Sequence, residues 1–152
     1  MNGGAAAIRN STITFNSATV GGGGLDVGTS SLELQSTILA LNVSLSGTPD
    51  LDASQGMVVG ANNLVMTSNG NVAAGVIAFT SDPKLGPLQN NGGATKTHAL
   101  LPGSPVIGSG NNYAGAWFDQ RGRGYPRASG ASYSTDIGAF QFDSIFYEDL
   151  EP

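Results

Sequence analysis

The chain has 152 residues, a length that fits one domain; 11% of them are charged and 23 are glycine. The net charge of −5 argues against a nucleic-acid partner, because binding to phosphates needs clustered cations. There is no cysteine, which excludes disulfides and zinc–thiolate sites, and no apolar run approaches the ~20 residues of a membrane span. The many glycines and few strong helix formers favour turns and short strands over a helical bundle.

A triplet repeats along the first half of the chain. Ser11-Thr12-Ile13 recurs as Ser36-Thr37-Ile38, at an offset of 25 residues, and the similar segment Asn62-Asn63-Leu64-Val65 follows about 26 residues later. Apolar and polar residues alternate within each repeat, which is the pattern of short strands with one buried face. We expect residues 1–82 to form about three coils of a parallel β-helix, an all-β solenoid, with an antiparallel sandwich as the alternative.

Asparagine recurs near the ends of these predicted strands. Asn16, Asn42 and Asn63 are candidates for a ladder in which the amide of each bonds to the amide on the next coil. The alternative is that they are ordinary loop residues.

The second half of the chain has a different texture and no visible repeat. Five prolines interrupt it, at Pro83, Pro87, Pro102, Pro105 and Pro126. Proline cannot donate to a β ladder, so these stretches belong at edges and turns. We predict that residues 83–142 form a non-repetitive C-terminal cap of the same domain, which covers the open end of the coils, and that residues 143–152 form an acidic tail.

Two segments of this half resemble a known family. The first runs from Asp82 to Gly108 and contains Gln89-Asn90-Asn91-Gly92-Gly93 and Thr97-His98-Ala99-Leu100; the second comprises Asp119-Gln120-Arg121-Gly122, Arg127 and Asp136-Ile137-Gly138-Ala139-Phe140-Gln141. Together they resemble the C-terminal portion of the bacterial choice-of-anchor Q domain family, which contains secreted or surface proteins with right-handed parallel β-helices. One departure is Gly108, where family members commonly carry an acidic residue.

The resemblance implies a right-handed β-helix and an extracellular or cell-surface location, with the export signal outside this chain. It implies no activity, since fold does not give function. We favour a structural or adhesive module that binds carbohydrate or a cell-surface partner; the alternative is a polysaccharide lyase or glycoside hydrolase that acts on acidic polysaccharide. Because residues 1–4 enter the middle of a coil, we also expect either a longer parent protein or self-association through the open N-terminal coil.

Four residues are the catalytic candidates if the chain is an enzyme. Arg121, Arg123 and Arg127 form the main cationic cluster, and Asp119 lies next to it. A guanidinium binds the carboxylate of an acidic sugar through two parallel hydrogen bonds, so Asp119, Arg121 and Arg123 are three of the candidates. His98 is the only histidine, so any histidine-dependent mechanism must use it. The alternatives are internal ion pairs of Asp119–Arg121 and Asp136 that lock the cap, and a structural role for His98 in the cap.

The ligand-binding candidates are Trp117, Arg121 and Tyr125, because aromatic rings and a guanidinium suit an anionic sugar; a packed cation–aromatic corner is the alternative. Asp50 and Asp52 are the candidate ligands for calcium, which prefers oxygen donors. No calcium-loop motif surrounds them, and a solvated loop is the alternative. No other cofactor is expected.

Overall fold

The computed structural model describes residues 4–46, 50–127 and 134–143. These residues contain thirteen short strands and no helix. In chain order the strands are β1 (Ala5–Arg9), β2 (Thr12–Thr14), β3 (Ser17–Ala18), β4 (Leu25–Asp26), β5 (Ser31–Gln35), β6 (Ile38–Ala40), β7 (Val43–Ser44), β8 (Leu51–Ala61), β9 (Asn63–Val65), β10 (Ser68–Val72), β11 (Ile77–Phe79), β12 (Leu85–Gln89) and β13 (Thr97–Leu100).

The strands of the described residues belong to four small sheets. The first main sheet has the order β1-β5-β8-β10, β4 also pairs with β8, and every pair in it is parallel. The second main sheet has the order β11-β9-β6-β2 and is also parallel. β3 and β7 form a short parallel pair, whereas β12 and β13 form an antiparallel hairpin.

Strands of the first repeats pair in register at an offset of 26 residues, as Thr12 does with Ile38. Between the two main sheets the chain turns at Asn10, Ser36 and Asn62, which have φ angles of 46°, 46° and 57°. Residues with a Cβ seldom adopt this left-handed conformation, and asparagine does so more readily than most. The same left-handed turn thus occurs at the same point of three successive 26-residue segments.

The prediction of a right-handed parallel β-helix of about three coils with a C-terminal cap is wrong. The strands form several small sheets, parallel and antiparallel, and no closed solenoid forms among the described residues. The 26-residue spacing then fails: Asp50 bonds to Thr67 across 17 residues and Asn63 to Val76 across 13. Register also shifts in the β8–β10 and β9–β11 pairs. The segment that contains β10 and β11 is therefore too short to follow the path of the two segments before it.

The repeated triplet also misaligns the strands by one residue. Ile13 lies opposite Leu39, whereas Ile38 lies opposite Thr12. Because side chains alternate between the two faces of a strand, a slip of one residue sends them to opposite sides of the sheet. Ile13 accordingly packs against the core between the two main sheets, and Ile38 belongs to the core on the other face. The 25-residue repeat of the sequence is therefore not the structural repeat.

Two hydrophobic cores lie on the two faces of the second main sheet. The core between the main sheets includes Leu32, Leu34, Leu39, Leu51, Val58 and Val65. The core on the outer face of the second sheet contains Ile38, Ala40, Leu64, Leu100, Val106, Ile137 and Phe140. β6 and β9 are thus buried on both faces, and the buried run Ile38-Leu39-Ala40 of β6 is apolar throughout.

Residues of the described part of 83–142 pack on that outer face. The N–H of Ala139 donates to Thr12 Oγ1, and the N–H of Gly138 donates to the carbonyl oxygen of Ser36. The outer face of the second sheet is apolar and needs a cover, which is the physical reason for this lateral position. Of the predicted acidic tail only Asp143 lies within the described residues.

The predicted asparagine ladder exists between two of its three members. Asn16 Nδ2 donates to Asn42 Oδ1 at 3.0 Å. Asn63 instead accepts the N–H of Thr37 at 2.9 Å, in a separate column at the neighbouring corner.

Candidate functional site

The β12–β13 hairpin separates two cavities in the C-terminal half. Its side chains alternate, so that Leu88 and His98 line one cavity and Gln89 and Ala99 line the other. Phe140 lines both. The first, the His98 cavity, is lined among others by Thr12, Thr14, Lys96, His98 and Gln120. The second, the Tyr125 cavity, is lined among others by Gln89, Asn90, Asn91, Arg121, Tyr125 and Asp143.

The Tyr125 cavity has a volume of about 600 Å³. Small-molecule sites span roughly 300–1,000 Å³ and combine an apolar lining with a few fixed polar groups. Here the apolar part comes from Ala99, Leu101 and the ring of Tyr125, and the polar part from the segment that follows β12. The cavity has the size and the mixed lining of a ligand site.

The amide side chains at the end of β12 and just after it are held by the hairpin itself. Gln89 Nε2 donates to Asn91 Oδ1 at 3.0 Å, and Asn91 Nδ2 donates to the carbonyl oxygen of Thr97 at 2.8 Å. Asn90 Oδ1 accepts the N–H of Gly92 at 3.0 Å. Among the described residues these bonds leave Gln89 Oε1 as an acceptor and Asn90 Nδ2 as a donor. A ligand would therefore meet oriented amides, which lowers the entropy lost on binding.

Arg121 is the buried centre of the Tyr125 cavity wall. Its guanidinium lies 3.9 Å from the centre of the Tyr125 ring and 3.8 Å from that of Phe140. Its Nη2 donates to Asp119 Oδ2 and to the carbonyl oxygen of Gln141, each at 2.8 Å. The cation thus packs against two aromatic rings and is bound to a carboxylate, which fixes its position in the corner.

Two further buried charged residues, Asp136 and Arg127, lie near this corner. Asp136 accepts the N–H groups of Gly108 at 2.6 Å and Phe142 at 2.5 Å. Burial raises the pKa of Asp136, although these two bonds and nearby Arg127 act in the opposite direction. Burial also lowers the pKa of Arg127, which donates to the carbonyl oxygen of Gly138.

His98 lies apart from Arg121, in the other cavity. Its Nδ1 is 2.7 Å from the carbonyl oxygen of Gly86, and its ring centre is 5.1 Å from that of Phe15. Asp119 and Arg121 form a 2.8 Å salt bridge. Among the catalytic candidates, the structure therefore brings Asp119 and Arg121 together and leaves His98 on the opposite face of the hairpin.

Two other candidates, Arg123 and Trp117, lie outside both cavities. Arg123 is exposed, and Trp117 is 86% exposed. Of the three ligand-binding candidates, Arg121 and Tyr125 share one cavity and Trp117 does not line it.

The two calcium candidates have protein donors around their carboxylates. Asp50 is buried and accepts bonds from Asn42 N–H, Asn42 Nδ2, Thr67 N–H and Thr67 Oγ1. Asp52 accepts the N–H of Ser54 at 2.9 Å. In the described ranges, no three His, Asp or Glu side chains come close enough to hold a metal ion. By these bonds Asp50 joins the residue Asn42, which follows β6, to Thr67, which precedes β10.

The amides Gln89, Asn90 and Asn91 and the ring of Phe140 were not predicted as site residues. Their sequence signal is a polar run between an alternating strand and Gly92-Gly93, which is typical of a hairpin loop. Reading that run as a hairpin would have placed Gln89 and Ala99 on one face, but not Arg121 and Tyr125 beside them.

Comparisons with protein-family models, curated proteins and solved structures found no match to this chain. None of the described segments is a helix with the length and hydropathy that crossing a membrane requires.

Proposed function

We propose that this protein is a non-catalytic carbohydrate-binding module of a bacterial surface or secreted protein, and that the Tyr125 cavity is its binding site. The observation that carries the proposal is the cavity lining, in which an aromatic ring lies beside oriented amide groups. Sugars have apolar C–H faces that pack on aromatic rings, and hydroxyl groups that bond to amides. Tyr125 would supply the ring, while Gln89 and Asn90 would supply an acceptor and a donor.

The surface location and the relation to the choice-of-anchor Q family are part of this proposal. They rest on the motifs around Asp119, Arg121 and Asp136. These residues stabilise the cavity wall, and such a structural role would explain why they take part in the resemblance. A low content of charged residues also suits a protein that recognises neutral, hydroxyl-rich surfaces.

One observation favours the alternative, a polysaccharide lyase or hydrolase. Arg121, Tyr125 and Asp143 line the same cavity, and a cation beside a base is what elimination from a uronate needs. The commitment of the Arg121 guanidinium to Asp119, Gln141 and two rings favours binding over catalysis. Incubation of the wild-type protein with polygalacturonate and alginate, followed by absorbance of unsaturated product, tests the alternative directly; turnover would replace the binding proposal.

The binding proposal is tested with a glycan array and then by calorimetry on the best ligand. We expect Tyr125→Ala to weaken binding at least about tenfold, or ~1.4 kcal/mol, since it removes the ring. Tyr125→Phe keeps the ring and the contact with Arg121, and should retain most of the affinity.

Trp117→Ala is the matched control, because it removes a larger aromatic side chain that lies outside the cavity. Its affinity should equal that of the wild type. A loss at Trp117 with no loss at Tyr125 would move the site to the exposed tryptophan and contradict the proposal, as would a wild-type protein that binds no glycan.

A further inference from the structure

The His98 cavity is a second concave site, with a volume of about 330 Å³. Thr12 and Thr14 line it from the edge strand β2, Lys96 and His98 from the hairpin, and Gln120 from the C-terminal segment. No carboxylate is among its described lining residues. It is therefore a polar pocket in which the ionisable side chains are potential cations.

Lys96 has no described acidic partner. The two salt bridges among the described residues join Arg9 to Glu33 and Arg121 to Asp119. The whole chain has only six Lys and Arg and one His, with a net charge of −5. The presence of Lys96 and the lone histidine in one cavity free of described carboxylates makes it a local positive site on an acidic protein.

The His98 ring is oriented by its surroundings. A carbonyl oxygen only accepts hydrogen bonds, so Nδ1, at 2.7 Å from Gly86 O, carries the hydrogen. Nε2 is then an acceptor in the neutral ring and a donor in the protonated one. The Phe15 ring at 5.1 Å limits rotation of the imidazole.

The other polar groups suit hydroxyls. Gln120 Nε2 donates to Thr95 Oγ1 at 3.2 Å, which leaves Gln120 Oε1 as an acceptor. Thr12 Oγ1 accepts the N–H of Ala139 at 3.0 Å, which leaves the hydroxyl hydrogen as a donor. We infer that the His98 cavity is a second ligand site that binds a pyranose bearing a carboxylate. The carboxylate lies at Lys96 and the sugar hydroxyls at Gln120 and Thr12.

The single histidine makes the test direct. It gives one Cε1–Hε1 cross-peak in an NMR spectrum of the whole chain, so galacturonate, galactose and acetate can be titrated separately at constant pH. Galacturonate should move this cross-peak saturably, and galactose and acetate should bind at least tenfold more weakly. A cross-peak that stays still, or that responds equally to all three, overturns the inference.

Variants separate this site from general charge attraction and from the Tyr125 cavity. Lys96→Gln should weaken galacturonate binding about tenfold, whereas Lys84→Gln, which removes a lysine outside the cavity, should leave it unchanged. Equal losses in the two variants would indicate only non-specific attraction and overturn the site. Tyr125→Ala should not alter the shift of the His98 cross-peak on addition of galacturonate. Loss of binding in one cavity is therefore distinguishable from loss of binding in the other.

Discussion

At the scale of single residues, buried charge organises the C-terminal half. Arg121 and Asp119 are almost fully buried, with side-chain exposures of 2% and 0%. A buried ion pair contributes little net stability compared with an apolar pair, but removal of one partner leaves an uncompensated charge. Asp119 also accepts the backbone N–H of Gln141. The pair therefore connects two chain segments that each line the Tyr125 cavity.

Arg121→Met should destabilise the protein by about 3–5 kcal/mol, because Asp119 then remains buried without its cation. Arg123→Met is the matched control on an exposed arginine and should change stability by no more than about 0.5 kcal/mol. Urea unfolding curves of the two variants and the wild type measure the difference. Equal effects would contradict the role of Arg121 as the buried centre of the corner.

Asp136 should make stability depend on pH in a specific direction. Burial raises its pKa in the folded state, so the folded protein holds this proton more tightly than the unfolded chain does. Its contribution to the free energy of unfolding is complete below the ordinary carboxyl pKa of about 3.9 and declines as pH rises through the raised value.

Asp136→Asn removes the titration and serves as the reference. The difference in unfolding free energy, wild type minus variant, should fall as pH increases from about 4 to 7. A constant offset is also expected, since the Asn amide has one oxygen for the N–H groups of Gly108 and Phe142. Denaturant unfolding across this pH range measures it, and a difference that rises with pH would refute the assignment.

At the scale of elements, the first main sheet has two edges that no other strand of the described residues covers. β1 ends the first main sheet, and its inward bonds are made through the Gly4 carbonyl and the Asn10 N–H. By alternation, the N–H groups of Ala5, Ala7 and Arg9 point away from β5, toward the open edge. β10 ends the same sheet on the other side. Two edges of one parallel sheet are complementary to each other in a second copy of the chain.

We therefore expect weak, concentration-dependent self-association through β1, measurable by sedimentation or light scattering. Ala7→Pro removes one outward N–H without breaking an inward bond, and should shift the protein to monomer. Ala7→Thr keeps the N–H and should associate like the wild type. A wild type that stays monomeric at high concentration would exclude this contact.

At the scale of the whole molecule, one sheet organises both cores. The second main sheet has the first core on its inner face and residues of the C-terminal half on its outer face. Both cavities form beside this outer core, because the β12–β13 hairpin and Phe140 line each of them. The continuous apolar run Ile38-Leu39-Ala40 predicts burial on both faces, whereas the alternation of Thr12-Ile13-Thr14 fits a strand at the edge.

The sequence by itself determined the local structure: alternating short segments are strands, and asparagines and glycines mark the corners between them. For Asp119 and Arg121 the sequence left two alternatives, an internal ion pair and a substrate role, and the structure shows the ion pair. Only the tertiary structure decided the 26-residue register, since the triplet Ser-Thr-Ile suggested a slip of one residue that moves Ile13 and Ile38 to opposite cores. It alone placed the described part of residues 83–142 on the face of a sheet, brought Tyr125 beside Gln89, and separated His98 from Arg121. The physical reason is that propensity and turn chemistry act between neighbours in the chain, whereas register and face depend on which apolar surfaces bury each other across it.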